Sequence, residues 1–437
     1  MLPDLGYTWT QMRHWATSSL GHNLVVVNRK DQATSGSDGN LLMYIPNADG
    51  ISVVEADGKR SYSNIDNLDM YRRTLMMIPV SDENAYVVDI FRLRGGNVHD
   101  WTINGDADQD TSAVCSLNLN SRRKWMLEDS EVWKEPILSG DVFNPYGMIR
   151  EVLYGNSTIP FEVTFQYLTD TTKGIRVHIT DKEGAEVWLG RSPSVRKAKM
   201  DTQRAWDYWM PKLIVRKKGE APLQSIFAAV EEPFQGKPFI SKVERVDLGP
   251  QNENVVAIHV THGETVDTII STLDEPPYKE LYIADRGIRM QGKLGIVRQV
   301  SGKTERMWLF NGNMLQIGGK GITENLGQYS GVLLDTFRRE DGKSYNAFVT
   351  DVALPQGRAL HGNWMIVQLA NGYTQGHEID YVDKRNNKTV IVITMDHGLR
   401  IAGNKTQEIF FPQRQFEGLN RFMIHLSASS QNKNKVQ

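Results

Sequence analysis

His22 is the first residue in this chain placed where chemistry could use it. It lies in SLGHNLVVVNRKDQ, residues 19–32, just before Val25, Val26 and Val27. Three β-branched residues in succession predict a short buried strand, because their side chains pack well on a pleated surface and lose little freedom there. A ring at the mouth of a rigid strand is held by the scaffold while one face stays open. The plainer reading is that His22 only satisfies a nearby carbonyl. His99 is the second candidate, in RLRGGNVHDW, where one strand ends, Gly95-Gly96 turns the chain and the next strand begins. Its neighbour Asp100 suits the orientation of a metal ligand, although adjacent strand residues point to opposite faces. Two strand-borne histidines and one carboxylate make a three-ligand zinc site with water as the fourth ligand. After the first strand, Asp31 and Asp38 both offer that carboxylate. Cys115 is the only cysteine, so a disulfide within the chain and a thiolate cage are both excluded.

Basic side chains cluster at Arg29-Lys30, Arg72-Arg73, Arg92 with Arg94, Arg122 to Lys124, and Arg216 to Lys218. A planar guanidinium pairs bidentately with carboxylate or sulfate, so arginines near His22 suit an acidic polysaccharide. Charge runs on strands are otherwise solvated faces. Tryptophans such as Trp15, Trp101, Trp206 and Trp209 could stack on sugar rings, or simply fill a core. Hydrolysis needs two facing carboxylates, and no pair has a spacing that argues for it.

The elements that must position these groups are strands. Short β-branched and aromatic runs, such as residues 86–93, 161–167, 175–179, 255–260 and 390–394, alternate with Asp-Gly, Asn-Gly and Gly-Gly turns. The pattern predicts an all-β fold: a large antiparallel β-sandwich over residues 1–335 and a smaller C-terminal β-unit over 336–437. Residues 201–208 are at best a short turn, and the polar SASSQNKNKVQ end is expected to fray. The 437 residues can bury one large core or two moderate ones. With 50 Lys and Arg against 52 Asp and Glu, the net charge of -2 gives no long-range pull toward nucleic acid. No apolar run approaches the ~18 residues of a membrane span. The start, MLPDLGYTW, has no charged region followed by an apolar one, so it shows no export signal.

The stretch HNLVVVNRKDQ resembles the C-terminal β-region of the heparinase II/III-like polysaccharide lyases, which reads roughly HNTVVVDGKDQ there. The segments YRRTLMMIPVSDENAYVVDIFRLRGGNVHDW, PKLIVRKKGEAPLQSIFAAVEEPFQGKP and ANGYTQGHEIDY resemble further parts of that region, in the same order. The match covers nearly the whole chain. It departs at Leu24, where threonine is usual, and at Asn28-Arg29, where Asp-Gly is usual; the second removes an easy type I′ turn.

The resemblance implies the β-sandwich portion of a lyase that cleaves uronic-acid polysaccharide by β-elimination. In the family a run like LPDLGY follows a large helical toroid, which supplies the tyrosine acid and the asparagine or histidine that neutralises the substrate carboxylate. The chain is therefore expected to be a fragment, inactive without that toroid. The family's β-region gives the cleft a histidine, so His22 is either a proton-transfer residue or a zinc ligand. Zinc-binding members use a histidine, an aspartate shortly after it and a histidine at a glycine-containing turn, which maps to His22, Asp38 and His99. Asp38 is preferred to Asp31 because it opens the next strand. Arg72, Arg73 and Arg94 are the arginines expected to meet substrate. The partners implied are an acidic polysaccharide and the toroid, with homodimerisation left open, and the implied location is periplasmic or secreted. Heparan sulfate, alginate and other uronates are not distinguished. The alternative is a non-catalytic carbohydrate-binding or metal-stabilised β-module.

Overall fold

The computed structural model describes residues 5–6, 8, 12–127, 144–181, 184–194, 203–249 and 252–431. Most of the LPDLGY run lies outside them. The chain is all-β, as expected, and forms two compact units. The first comprises 1–38, 58–245 and 259–263; the second comprises 39–57, 246–258 and 264–437.

In the first unit, two antiparallel sheets enclose the main core. One runs in the order Val25–Val27, Val98–Asn104, Trp209–Lys218, Ala185–Pro193, Arg150–Ser157, Ser121–Trp125. The other contains Met70–Pro79, Ala85–Arg94, Gln224–Gln235, Lys173–Ile179, Phe161–Tyr167 and Thr111–Cys115. Alternation along each strand sends Val25, Val27, Trp101, Ile103, Leu213 and Val215 inward against Tyr71, Phe91, Val163, Val177 and Phe227. The opposite face of the six-stranded sheet carries a second apolar layer. There Val26, Val152, Met210 and Ile214 pack beneath Trp15, Leu20, Tyr146 and Met148.

Val25–Val27 is the edge strand of its sheet, paired on one side with Val98–Asn104 in the register Val25 to Trp101 and Val27 to His99. Its other side is closed by side chains. Tyr62 Oη accepts from Val27 N at 3.3 Å, and Tyr71 Oη donates to Val25 O at 2.7 Å. Bonds of this kind leave little of the edge open to pairing with another chain.

The second unit holds a ten-stranded sheet made from residues 328–425 and a further antiparallel sheet that includes Ile288–Val300 and Lys303–Ile317. Polar Ser427–Gln431, expected to fray, is instead a strand on Lys303–Ile317, with Phe310 opposite Ser427 and Arg306 opposite Gln431. Backbone pairing holds that strand, and backbone pairing leaves no trace in side-chain polarity. The Asn386-Asn387 turn behaves as its residue types suggest: both are left-handed and join Thr374–Arg385 to Lys388–Ile393.

Candidate functional site

Half-buried His22 ends a 3-10 turn, Ser19–Gly21, and enters the edge strand. Its backbone is fixed at both ends: His22 N donates to Ser19 O at 3.2 Å, and Thr102 Oγ1 donates to His22 O at 2.6 Å. The neighbours are fixed too. Asn104 Nδ2 donates to Gly21 O at 2.6 Å, Asn104 N to Asn23 Oδ1 at 2.8 Å, and Arg73 Nη1 to Asn23 O at 2.9 Å. Behind this set, the buried Lys212 ammonium donates to Asn104 Oδ1 at 2.8 Å, and burial pulls its pKa down to about 7. Gly21 is required by close approach, since a Cβ there would stand 2.6 Å from Trp15 O. So tied, the chain can hold an imidazole in one orientation.

The acidic neighbour of His22 is Asp31. Ser19 grips the outgoing loop through two bonds, Ser19 N to Asp31 Oδ1 at 2.7 Å and Gln32 N to Ser19 Oγ at 2.8 Å. Burial raises the Asp31 carboxyl above its ordinary value, opposed by the Ser19 hydrogen bonds and by the charge of nearby His22. Asp31 lines an open groove of about 830 Å³ together with Asn28, Arg29, Gln32, Asn64 and Asn144. Amide side chains of this kind donate and accept, as sugar hydroxyls require.

Between strand and groove the chain turns through Asn28 and Arg29, at φ 53° and 58°, closed by Lys30 N donating to Val27 O at 3.0 Å. The I′-like turn thus forms without the usual Asp-Gly. Asn28 supports it by accepting from Asn97 N at 2.8 Å and Val98 N at 3.2 Å through Oδ1. Gly96, at φ 67°, lies against it, where a Cβ would come within 2.7 Å of Asn28 Oδ1.

Exposed Arg29 also lines a second cavity, of about 510 Å³, on the outer face of the six-stranded sheet. Its other walls include Arg123, Tyr154, Glu186, Trp188, Arg216 and Lys218. The strand register places them side by side, with Trp188 opposite Tyr154 and Glu186 opposite Arg216. Tyr154 and Trp188 stack at 4.6 Å and 11°. Arg216 is clamped by Asp100, with Nε and Nη2 donating at 2.6 and 2.8 Å, and the Tyr146 hydroxyl donates to the same carboxylate. Lys218 pairs with Glu186 at 2.7 Å. Among the described residues no hydrogen bond or ion pair holds Arg29; its guanidinium lies over the Tyr146 ring at 5.0 Å.

The residues expected to bind zinc are not brought together. His99 is fully buried and both ring nitrogens are engaged, Nδ1 with Ser225 Oγ at 2.7 Å and Nε2 with Gly95 O at 2.6 Å. Burial drops its pKa to about 4. Asp38 pairs with Arg60 at 3.0 Å. Among the described residues no group of three His, Cys, Asp or Glu side chains could hold a metal ion. His22, Asp38 and His99 as they stand therefore do not fit a zinc centre.

The three expected arginines also diverge. Arg73 shares the inward face with Tyr71, is held by Asp89 at 2.9 Å through both Nε and Nη2, and reaches the His22 segment. Arg72 falls on the other face by alternation, and so does Arg94, which meets Asp69 at 2.8 Å on the exposed surface. Asn104 and Lys212 carry no signal in the sequence analysis, and Asp100, read there as orienting a metal ligand, instead clamps Arg216. Asp31, the carboxylate set second to Asp38 on the loop after the first strand, is the one tied back to the His22 segment through Ser19.

No protein-family model matches the chain, and no curated protein does. Among solved structures it is similar to a heparinase III at 15% identity, covering 62% of this chain and 34% of that one, with a TM-score of 0.36. A second heparinase III shows 13% identity over 62% of this chain and 34% of that one, with a TM-score of 0.38. The heparan sulfate lyase HepC from Pedobacter heparinus shows 10% identity over 60% and 33%, with a TM-score of 0.36. The chain spans about a third of the length of these structures.

Proposed function

We propose that this chain is the β-sandwich part of a polysaccharide lyase that cleaves uronic-acid-containing chains by β-elimination. The observation that carries the reading is the immobilised His22 segment, with Asp31 beside it on the wall of an amide-lined groove. In β-elimination the C5 proton lies α to a carboxylate and becomes removable once that charge is neutralised and a base is aimed at it. His22 is the group in this chain suited to move that proton, with Asp31 as its acidic neighbour. Arg73 acts here as a buttress through Asn23, and Arg29 and Lys30 are cations at the groove. The tyrosine acid and the carboxylate-neutralising group come from outside the chain, from the helical toroid that the resemblance implies.

The test is calorimetric titration of the chain with an alginate tetrasaccharide, a heparan sulfate tetrasaccharide and a neutral cellotetraose, for wild type and His22→Ala. The reading expects uronate binding, no cellotetraose binding, and weaker uronate binding in the variant. Equal binding of cellotetraose, or no uronate binding at all, contradicts it. The second reading, a non-catalytic carbohydrate-binding module, is favoured by Arg73, Arg216 and Lys218 each being held already by a carboxylate. The ultraviolet absorbance of an unsaturated product, sought after mixing the chain with either uronate, separates binding from cleavage.

A further inference from the structure

We propose that Arg29 is a ligand-binding residue, and that it grips the oxyanion of an acidic sugar unit whose ring lies in the cavity lined by Tyr154 and Trp188. The inference rests on the polysaccharide reading above and specifies where, and through which group, the anion is held.

The starting observation is a conflict between backbone and side chain. Arg29 is the second of two consecutive left-handed residues, at φ 58°, a position where glycine is strongly favoured because an L side chain is crowded there. Such a conformation persists where something offsets its cost, and these outliers gather at binding and catalytic sites. The bonds of Asn28 to residues 97 and 98 hold the turn without using the Arg29 side chain, and burial does not account for an arginine there, since Arg29 is exposed. Nor does an ion pair, since no carboxylate among the described residues pairs with it. What distinguishes the residue is its place: both the groove of about 830 Å³ and the cavity of about 510 Å³ have Arg29 in their walls.

The cavity fits a sugar bearing an anion. Tyr154 and Trp188 stack face to face, and their outward edges and remaining faces give the cavity an apolar wall against which a pyranose ring can pack. Arg123 stands 5.1 Å from the Tyr154 ring and 5.9 Å from the Trp188 ring, and Arg216 stands 5.9 Å from Trp188. Among the described residues, four cations line the cavity against Glu186, with Asp100 behind Arg216, and the excess of cations gives it a positive potential. Arg216 and Lys218 are already held by Asp100 and Glu186, so they set the field. Arg29, with five N–H donors and, among the described residues, the face of Tyr146 as its neighbour, can close on a carboxylate or sulfate in bidentate fashion. The shared chemistry is an oxyanion on a pyranose ring, from a uronate carboxylate or from a sulfate ester.

The experiment compares wild type with Arg29→Gly, by calorimetric titration with the alginate and heparan sulfate tetrasaccharides and by thermal melting. Glycine suits the backbone and removes the guanidinium, so R29G is expected to melt at or above the wild-type temperature while binding at least about tenfold more weakly. Loss with both sugars assigns the carboxylate as the anion gripped; loss confined to the heparan sulfate fragment assigns the sulfate. Binding within about twofold of wild type for both sugars overturns the proposal. So does a lowered melting temperature, which would give Arg29 a structural role through its contact with Tyr146. A wild type that binds neither sugar refutes instead the polysaccharide reading on which this rests.

Discussion

Replacing Asp100 with asparagine is expected to cost the first unit about 3–5 kcal/mol, the usual result of removing one partner from a buried pair. Asp100 and Arg216 are 0% and 7% exposed as side chains, and the guanidinium donates to both carboxylate oxygens at 2.6 and 2.8 Å. Burial opposes the charge on Arg216, yet the bonds to Asp100 hold its pKa above the ordinary arginine value. The Asp100→Asn change would keep the volume but remove the charge, leaving the guanidinium buried without its counterion. Urea unfolding at neutral pH, followed by tryptophan fluorescence, measures the loss as a lower midpoint at unchanged slope. The apolar double variant Asp100→Leu, Arg216→Met should recover most of it, because neither charge is then stranded. An Asp100→Asn protein within about 1 kcal/mol of wild type would refute the reasoning. So would a double variant less stable than the single.

Other outcomes follow from the same contacts. Gly21→Ala would press a Cβ against Trp15 O, so it should destabilise by about 1–3 kcal/mol and also weaken uronate binding by displacing His22; urea midpoints and titration read the two effects. Burial lowers His99 from 6.5 to about 4, so between those values the unfolded chain binds a proton that the folded chain refuses. The stability owed to neutral His99 is therefore complete above about pH 6.5 and lost as pH falls through 4, on the order of 3 kcal/mol in all. His99→Gln should flatten that slope in urea midpoints taken from pH 7 to 4.5. Because both His99 nitrogens are engaged, elemental analysis should find the same zinc content in wild type and His99→Ala. Stoichiometric zinc present in the former and lost in the latter would mean the ring leaves Ser225 and Gly95 to bind metal.

Local chemistry was legible in the sequence wherever one short stretch determined it. Val25 to Val27 form the strand that three β-branched residues predict, and His22 stands at its mouth. Asn28-Arg29 shows the limit of that logic, because the turn forms against the preference of Arg29, with Asn28 anchored to the 97–98 backbone across the sheet. Nothing near Asn28 in sequence announces those partners. His99 misled for a related reason: its strand position was clear, but Ser225, which takes one ring nitrogen, lies 126 residues away. The choice of Asp38 over Asp31 weighed strand proximity, while the tie from Ser19 to Asp31 depends on how the 3-10 turn folds back. Period-two alternation alone separates Arg73 from Arg72, and it does so only once the inward face is known from Tyr71. The strand at Ser427–Gln431 is held by backbone pairing to residues 306–310, which composition does not encode.

The most direct test of the whole account is to label the histidines and backbone amides and record nuclear magnetic resonance spectra while adding an alginate or heparan sulfate tetrasaccharide. The account expects shifts at the His22 ring, at the amides of residues 28–35 and at the Trp188 indole, with the deeply buried His99 ring unmoved. Binding that leaves His22 and residues 28–35 unperturbed, or shifts that appear only elsewhere on the chain, would contradict it.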